Sequence, residues 1–175
     1  MGYGVVEVRG SVLCAAEYGA VSTPPGLALA KRLLLIFNEL TDIITRTEPQ
    51  AVAIESLFFN ANARTALAVG QARGVALLAC AQSGRDVVEY TPQQVKQGVA
   101  GYGRADKRQV QEMVRLLLGL DDIPRPDDAA DALGVAICHA NSLGLRSRLA
   151  AAGVDAGCGN THGAAQARRT RSKPQ

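Results

Sequence analysis

Two aspartates in the segment from Pro126 to Leu133, which reads PDDAADAL, have the spacing of carboxylates that act together. Asp128 and Asp131 are three residues apart, so they share one face of the helix that this segment predicts. Asp127 follows Pro126 directly and is expected to cap that helix. Like charges beside the apolar stretch that follows repel each other, and a hard divalent cation such as Mg²⁺ would remove the repulsion. Ordinary acidic charge in a first helical turn, which the helix dipole favours, is the alternative, and both remain open.

Glu55 ends a short apolar run, AVAIE, that begins at residue 51 and follows the helix-stopping Pro49. The run predicts a buried strand, with Glu55 at the carboxyl end, where parallel sheets place their ligands. A carboxylate in that position is costly unless it is paired or binds a ligand, although a solvated glutamate remains the alternative. Phe58 and Phe59 follow where a polar loop would be expected. They either fill the core or stack on nucleic-acid bases.

Basic side chains precede the acidic helix. They fall between residues 96 and 115 and are Lys96, Arg104, Lys107, Arg108 and Arg115. Asp106 is expected to cap a helix with Gln109 as its capping-box partner, which places Lys107 and Arg108 in the first turn. Cations there oppose the helix dipole, so they are disfavoured unless they contact an anion, and the free amides of that turn attract phosphate too. A phosphate contact and a solvated basic turn both remain open.

Strands and helices alternate along the chain and must bring these residues together. Hydrophobic periodicity and turn residues predict strands at 5–8, 12–21, 51–55 and 87–90, the first two forming a hairpin around residues 9–11. Predicted helices cover 26–47 and about 62–82, and others start after caps at Thr91 and Asp106 and after the linker 124–126. His139, on the apolar last helix, is expected to pack and not to catalyse.

The composition indicates one packed domain with a polar extension. The chain has 175 residues, 47% of them hydrophobic, and a net charge of only +3. Its four cysteines show neither close pairs nor metal-binding spacing, so they are expected to be reduced and mostly buried. No signal peptide or membrane span is predicted, which favours a cytoplasmic protein. Glycine, alanine and basic residues dominate from about residue 150, so we expect a domain at 1–149 and a disordered basic tail at 150–175.

Three segments carry a specific resemblance to a known family. They are AVAIESLFFNANARTALAVGQARGVALLA from residue 51, EYTPQQVKQGVAGYGRADKRQVQEMVRLLLGL from residue 89 and PDDAADALGVAICHA from residue 126. In order and without large gaps, residues 2 to about 139 resemble RuvC, the bacterial Holliday-junction resolvase. The resemblance implies an α/β, RNase H-like fold with a mixed sheet flanked by helices. It also implies a magnesium-dependent, homodimeric endonuclease that cuts four-way DNA junctions in recombination and repair, with the RuvA–RuvB branch-migration complex as a partner.

The resemblance also implies roles for individual residues. The carboxylates expected to bind two Mg²⁺ ions, for which Mn²⁺ can substitute, and to act in catalysis are Glu55, Asp128 and Asp131. Phe58 matches the aromatic side chain that enters the centre of the junction, and Lys96 and Lys107 match lysines that face the cleaved strand. The full set of residues expected to contact DNA is Phe58, Lys96, Arg104, Lys107 and Arg108.

The beginning of the chain departs from the family pattern. The family begins with a strand that reads roughly Gly-Ile-Asp-Pro-Gly, whose aspartate is the first metal ligand, and continues into Gly-Tyr-Gly-Val. This chain begins MGYGVV, and its first aspartate is Asp42 in a predicted helix, so the nuclease domain is expected to lack its first strand. Either Met1 is an internal methionine of a longer protein or the chain is truncated. On the second account, the alternative function is a catalytically inactive protein that binds four-way junctions.

Overall fold

The computed structural model describes residues 1–56 and 63–151, and these form four strands and five helices. The strands are β1 (Gly2–Arg9), β2 (Val12–Ala20), β3 (Val52–Glu55) and β4 (Val87–Tyr90). The helices are α1 (Leu29–Thr47), α2 (Ala63–Gln82), α3 (Pro92–Ala100), α4 (Lys107–Leu117) and α5 (Asp127–Ala151). All predicted elements are present, with boundaries shifted by a few residues. Phe58, Phe59 and all of the predicted tail beyond Ala151 lie outside the described residues.

The predicted hairpin forms an antiparallel sheet of β1 and β2. Gly10 has φ 64° at its turn, a left-handed conformation that glycine adopts without steric cost. A bulge interrupts the register between Val5 and Val6. Two backbone hydrogen bonds between Met1 and Val21, with N···O distances of 3.1 and 2.8 Å, extend the ladder by one residue pair.

A second, parallel sheet joins β3 to β4, with Glu55 opposite Tyr90. The crossover between the two strands contains α2, as a parallel connection requires. Among the described residues no backbone hydrogen bond joins this sheet to the hairpin, so one edge of β1 and one edge of β3 have no strand partner. The prediction that β3 is buried is therefore wrong in part. Val52 to Ile54 are half-buried and Glu55 is exposed, because a strand with one unpaired edge keeps contact with solvent.

Helices cover both faces of the hairpin. Side chains alternate along β1, so that Gly2 and Gly4 face α5 while Tyr3 packs with Ile36 and Ile43 of α1. Helix α5 contacts β1, β2 and β3, and α3 and α4 pack against α5 in turn. On the opposite face α1 packs against α2. The arrangement is an α/β layering in which one helix, α5, bridges the two sheets.

The main core lies between α5, α3 and α4. Leu133 and Ile137 of α5 and Val114 of α4 are completely buried there. Cys80 and Cys138 are buried free thiols and Cys14 is a half-buried one, which confirms the prediction for the cysteines that the structure describes. Across residues 1–56 and 63–151, none of the helices is both long and apolar enough to span a membrane.

Candidate active site

The start of α5 is fixed against β1 by two glycines. A Cβ on Gly2 would lie 1.9 Å from the carbonyl oxygen of Asp128, and a Cβ on Gly4 would lie 2.8 Å from Leu133 Cδ2. Only a residue without a side chain allows the helix to come this close. The first turn of α5, with its aspartates, is therefore held on the β1 side of the hairpin.

The prediction that Asp127 caps α5 is wrong. The helix begins at Asp127, and the Pro126 carbonyl accepts the first helical hydrogen bond, from the Ala130 N–H at 3.4 Å. Pro126 is thus the cap residue, and Asp127 belongs to the first turn. Its carboxylate receives a hydrogen bond from Arg125 at 2.7 Å and lies near Lys107.

Lys107 lies between two of these carboxylates. Its Nζ is 3.3 Å from Asp127 Oδ2 and 3.3 Å from Asp131 Oδ2. Desolvation opposes the charge of Lys107, but the hydrogen bonds and negative charges of Asp131 and Asp127 outweigh it and raise the pKa of the ammonium. The same contact, together with the charge of Arg125, lowers the pKa of Asp127. A cation in the first turn of α4 was expected to contact an anion. Lys107 does so, and the anions are the carboxylates of Asp127 and Asp131.

Glu55 lies at the end of β3, close to Asp131. The pKa of Glu55 is raised, first because the surrounding protein desolvates its carboxylate and second because the negative charge of Asp131 is near. Arg73 of α2 donates to the Glu55 carbonyl at 2.7 Å and pairs with Glu89 of β4 at 2.7 Å. Arg73 thereby fixes the carboxyl ends of both parallel strands. Nothing in the sequence analysis identified this role, and the only signal was a cation in an alanine-rich helix.

Asp128 points elsewhere. Its Oδ2 is 3.7 Å from the Met1 ammonium, and its side chain is 64% exposed. In residues 1–56 and 63–151 no three acidic, histidine or cysteine side chains are placed to hold one metal ion together. The charge of Asp131 therefore reaches Glu55, whereas the Asp128 carboxylate is directed at the Met1 ammonium. Carboxylate oxygens are the ligands that Mg²⁺ prefers, so these side chains fit the ion chemically. They would have to rotate to bind one ion together.

The other predicted DNA contacts are distributed around α3 and α4. Lys96 is half-buried, whereas Arg104 and Arg108 are exposed. Arg108 lines a surface cavity of about 380 Å³ with Asp106 and Glu112, so its acidic neighbours differ from those of Lys107. Phe58 cannot be placed, because it lies outside the described residues.

His139 packs as expected. Its Nδ1 is 2.9 Å from Tyr90 Oη, and the two rings meet edge to face with centroids 5.8 Å apart. The pair joins α5 to β4.

Solved structures with the same fold identify the class. The chain superposes on a structure of Thermus thermophilus RuvC with a TM-score of 0.76 and 38% identity, covering 85% of this chain and 89% of that one. A structure of T. thermophilus RuvC in complex with a Holliday junction substrate gives a TM-score of 0.78 and 39% identity, covering 82% and 88%. The fold and the carboxylates at the end of β3 and the start of α5 define an RNase H-like nuclease.

Sequence comparison identifies the family. Residues 1–139 match the family model of the crossover junction endodeoxyribonuclease RuvC. The RuvC of Desulfitobacterium hafniense DCB-2 is 55% identical over 152 residues, which are 87% of this chain and 92% of the relative. That of Chloroflexus aggregans is 62% identical over 140 residues, 80% and 85% of the two chains. The chain belongs to the RuvC family, and the resemblance inferred from its motifs is confirmed.

Proposed function

We propose that this protein is a metal-dependent endonuclease that resolves four-way DNA junctions. The observation that carries the proposal is the position of Glu55 at the end of β3, where the negative charge of Asp131 of α5 helps to raise its pKa, while Asp131 itself lies beside the Lys107 ammonium. Carboxylates that crowd each other at the edge of a basic surface suit a divalent cation and a phosphodiester together. Membership of the RuvC family and the likeness to a relative solved with a Holliday junction support the same substrate.

Mg²⁺ is the cofactor that this donor set suits, with Mn²⁺ as a substitute. Glu55, Asp128 and Asp131 are the proposed ligands, and Asp127 lies next to them. Metal held by these carboxylates would supply an activated water for in-line attack on phosphate and positive charge beside the leaving oxygen. Desolvation and the nearby negative charge of Asp131 make the charge of Glu55 unfavourable and raise its pKa, and a cation nearby would relieve this.

The remaining side chains serve the DNA. Lys107, next to the carboxylates, is placed to balance the charge that develops on the phosphate under attack. Lys96, Arg104 and Arg108 are proposed to contact the DNA backbone, which positions the strand without reading its sequence. We propose that Phe58 unstacks bases at the centre of the junction.

A dimer would complete the reaction. Two copies of the site facing two symmetric strands would produce the paired nicks that resolve a junction. We place this activity in the cytoplasm, where a branch-migration complex of the RuvA–RuvB type would deliver the junction. None of the matches favours the alternative, an inactive protein that binds four-way junctions.

A cleavage assay with matched variants tests the proposal. Glu55→Gln and Asp131→Asn should each reduce junction cleavage in Mg²⁺ by at least about 10²-fold, because metal positioning supplies most of the catalysis. Junction binding without metal, measured by gel shift, should change little. Asp122→Asn removes the same charge from an exposed position near Arg115 and should cleave normally. Equal losses of binding and cleavage in the two site variants would contradict the assignment.

A further inference from the structure

The direction of Lys107 is set by the way α4 begins and packs. Asp106 caps the helix, accepting a hydrogen bond from the Gln109 N–H at 2.9 Å, so Lys107 is the first helical residue. Val114, two turns further along α4, is completely buried in the core that α4 shares with α5. These contacts aim the Lys107 side chain at the first turn of α5.

The Lys107 ammonium occupies carboxylate oxygens that a metal ion would need. It lies 3.3 Å from Asp131 Oδ2, and Asp131 is the aspartate whose charge reaches Glu55. An ammonium and a divalent cation repel each other, so they cannot share one carboxylate oxygen closely. Without the ammonium, Asp127, Asp131 and Glu55 would be neighbouring negative charges with less compensation. Lys107 therefore acts as the counter-ion of this acidic group.

The contact is weak enough to be exchanged. Lys107 is 56% exposed, Asp127 47% and Asp131 51%, and exposed ion pairs contribute little because water and salt screen them. A long lysine side chain with three donors can also turn to a new anion without moving its helix.

We propose that Lys107 is a built-in counter-ion that the metal displaces, so that metal binding releases its ammonium from Asp127 and Asp131 to contact a DNA phosphate. The inference rests on the proposed function, because it takes Asp131 to be a metal ligand. Its consequence is a positive coupling between metal and DNA. DNA draws Lys107 away from the carboxylates and so strengthens metal binding, and by reciprocity metal strengthens the phosphate contact.

Metal affinity in the absence of DNA gives the first test. Mn²⁺ binding to the full chain is followed by electron paramagnetic resonance for the wild type, Lys107→Met, Lys107→Arg and Lys31→Met. Lys107→Met should bind Mn²⁺ about three- to tenfold more tightly, because its carboxylates have lost their competing cation. Lys107→Arg, which keeps the cation, should stay near the wild-type affinity. Lys31→Met removes the same charge from an exposed residue of α1 and should change the affinity less than about twofold, since salt screens distant charges.

Nuclear magnetic resonance gives the second test, of displacement itself. The chain has four lysines, Lys31, Lys96, Lys107 and Lys173, and ¹³C-lysine labelling makes each ε-CH₂ group visible. On addition of Mg²⁺ the Lys107 signal, identified by its absence in Lys107→Arg, should move to the position of a solvated lysine. The signals of Lys31 and Lys173 should stay.

The outcomes separate the two proposals. If Lys107→Met binds Mn²⁺ no more tightly than the wild type, the proposal that metal displaces Lys107 is wrong, and the metal site stands. The same holds if the Lys107 signal does not move with Mg²⁺. If the wild type and both Lys107 variants bind no Mn²⁺, the metal-dependent function fails, and the displacement fails with it.

Discussion

Gly2 of β1 lies directly against Asp128 of α5, because a Cβ on Gly2 would be only 1.9 Å from the Asp128 carbonyl oxygen. The absence of a side chain at one end of a strand thus determines where an aspartate of the candidate site can lie. Gly4, two residues along, allows the same close approach beside Leu133. The small residues at the start of the chain are therefore part of the construction of the site.

Gly4→Ala should destabilise the protein by about 1–3 kcal/mol, because the added methyl group overlaps Leu133 in a filled part of the core. The free energy of unfolding in urea measures this. Gly74→Ala in α2 is the matched control: its Cβ would meet nothing within 4 Å, and alanine should stabilise the helix by about 0.5–1 kcal/mol. A neutral Gly4→Ala would mean that α5 does not rest on β1 as described.

Glu55→Gln should make the metal-free protein more stable at pH 7. Desolvation by the surrounding protein and the charge of Asp131 raise the folded-state pKa of Glu55, so its charged form is less favourable in the folded than in the unfolded state. The gain should appear as the pH rises through the window between the ordinary glutamate pKa and the raised one. It should vanish at lower pH, where Glu55 is protonated in both states. Unfolding free energies of both proteins at pH 7 and below pH 4 provide the check, and an equal difference at both would contradict it.

Amide exchange should distinguish the two edges of β1. Met1 and Val21 form a hydrogen-bonded pair, and such pairs alternate along an antiparallel ladder, so Tyr3 and Val5 donate to β2. The Gly4 N–H then points to the edge that has no strand partner among the described residues. In hydrogen–deuterium exchange followed by NMR, Gly4 should exchange faster than Tyr3 and Val5. Equal protection at Gly4 would show that another segment pairs with this edge.

Phe58→Ala should reduce cleavage of fully paired junctions more than cleavage of junctions already unpaired at the centre. A wedge serves to unstack bases, at a cost of a few kcal/mol per step, and unpaired junctions need no such work. Rate constants for both substrates under single-turnover conditions measure the difference. If both fall alike, Phe58 has a packing role or a general contact role instead.

The sequence predicted the elements well, because each has a local signal. Capping boxes at Thr91 and Asp106 and the helix-stopping Pro49 mark boundaries that the structure confirms closely.

Contacts between elements could not be predicted in this way. Lys107 was expected to contact an anion, but its nearest anions are Asp127 and Asp131 of another helix, which only the packing of α4 on α5 brings near. The sequence predicted Asp127 as a cap, and it carries no signal that Arg73 contacts Glu55 and Glu89. Spacing along one helix says which residues share a face, and it says nothing of which side chain of a neighbouring helix will meet them.

Cleavage of a synthetic four-way junction by the wild-type chain tests the central claim most directly. With Mg²⁺ the junction should be cut by symmetric nicks in two strands of like polarity, while EDTA should abolish cutting and a linear duplex of the same sequence should stay intact. A chain that binds the junction in a gel shift but cuts it with neither Mg²⁺ nor Mn²⁺ would contradict the account and would be an inactive junction-binding protein.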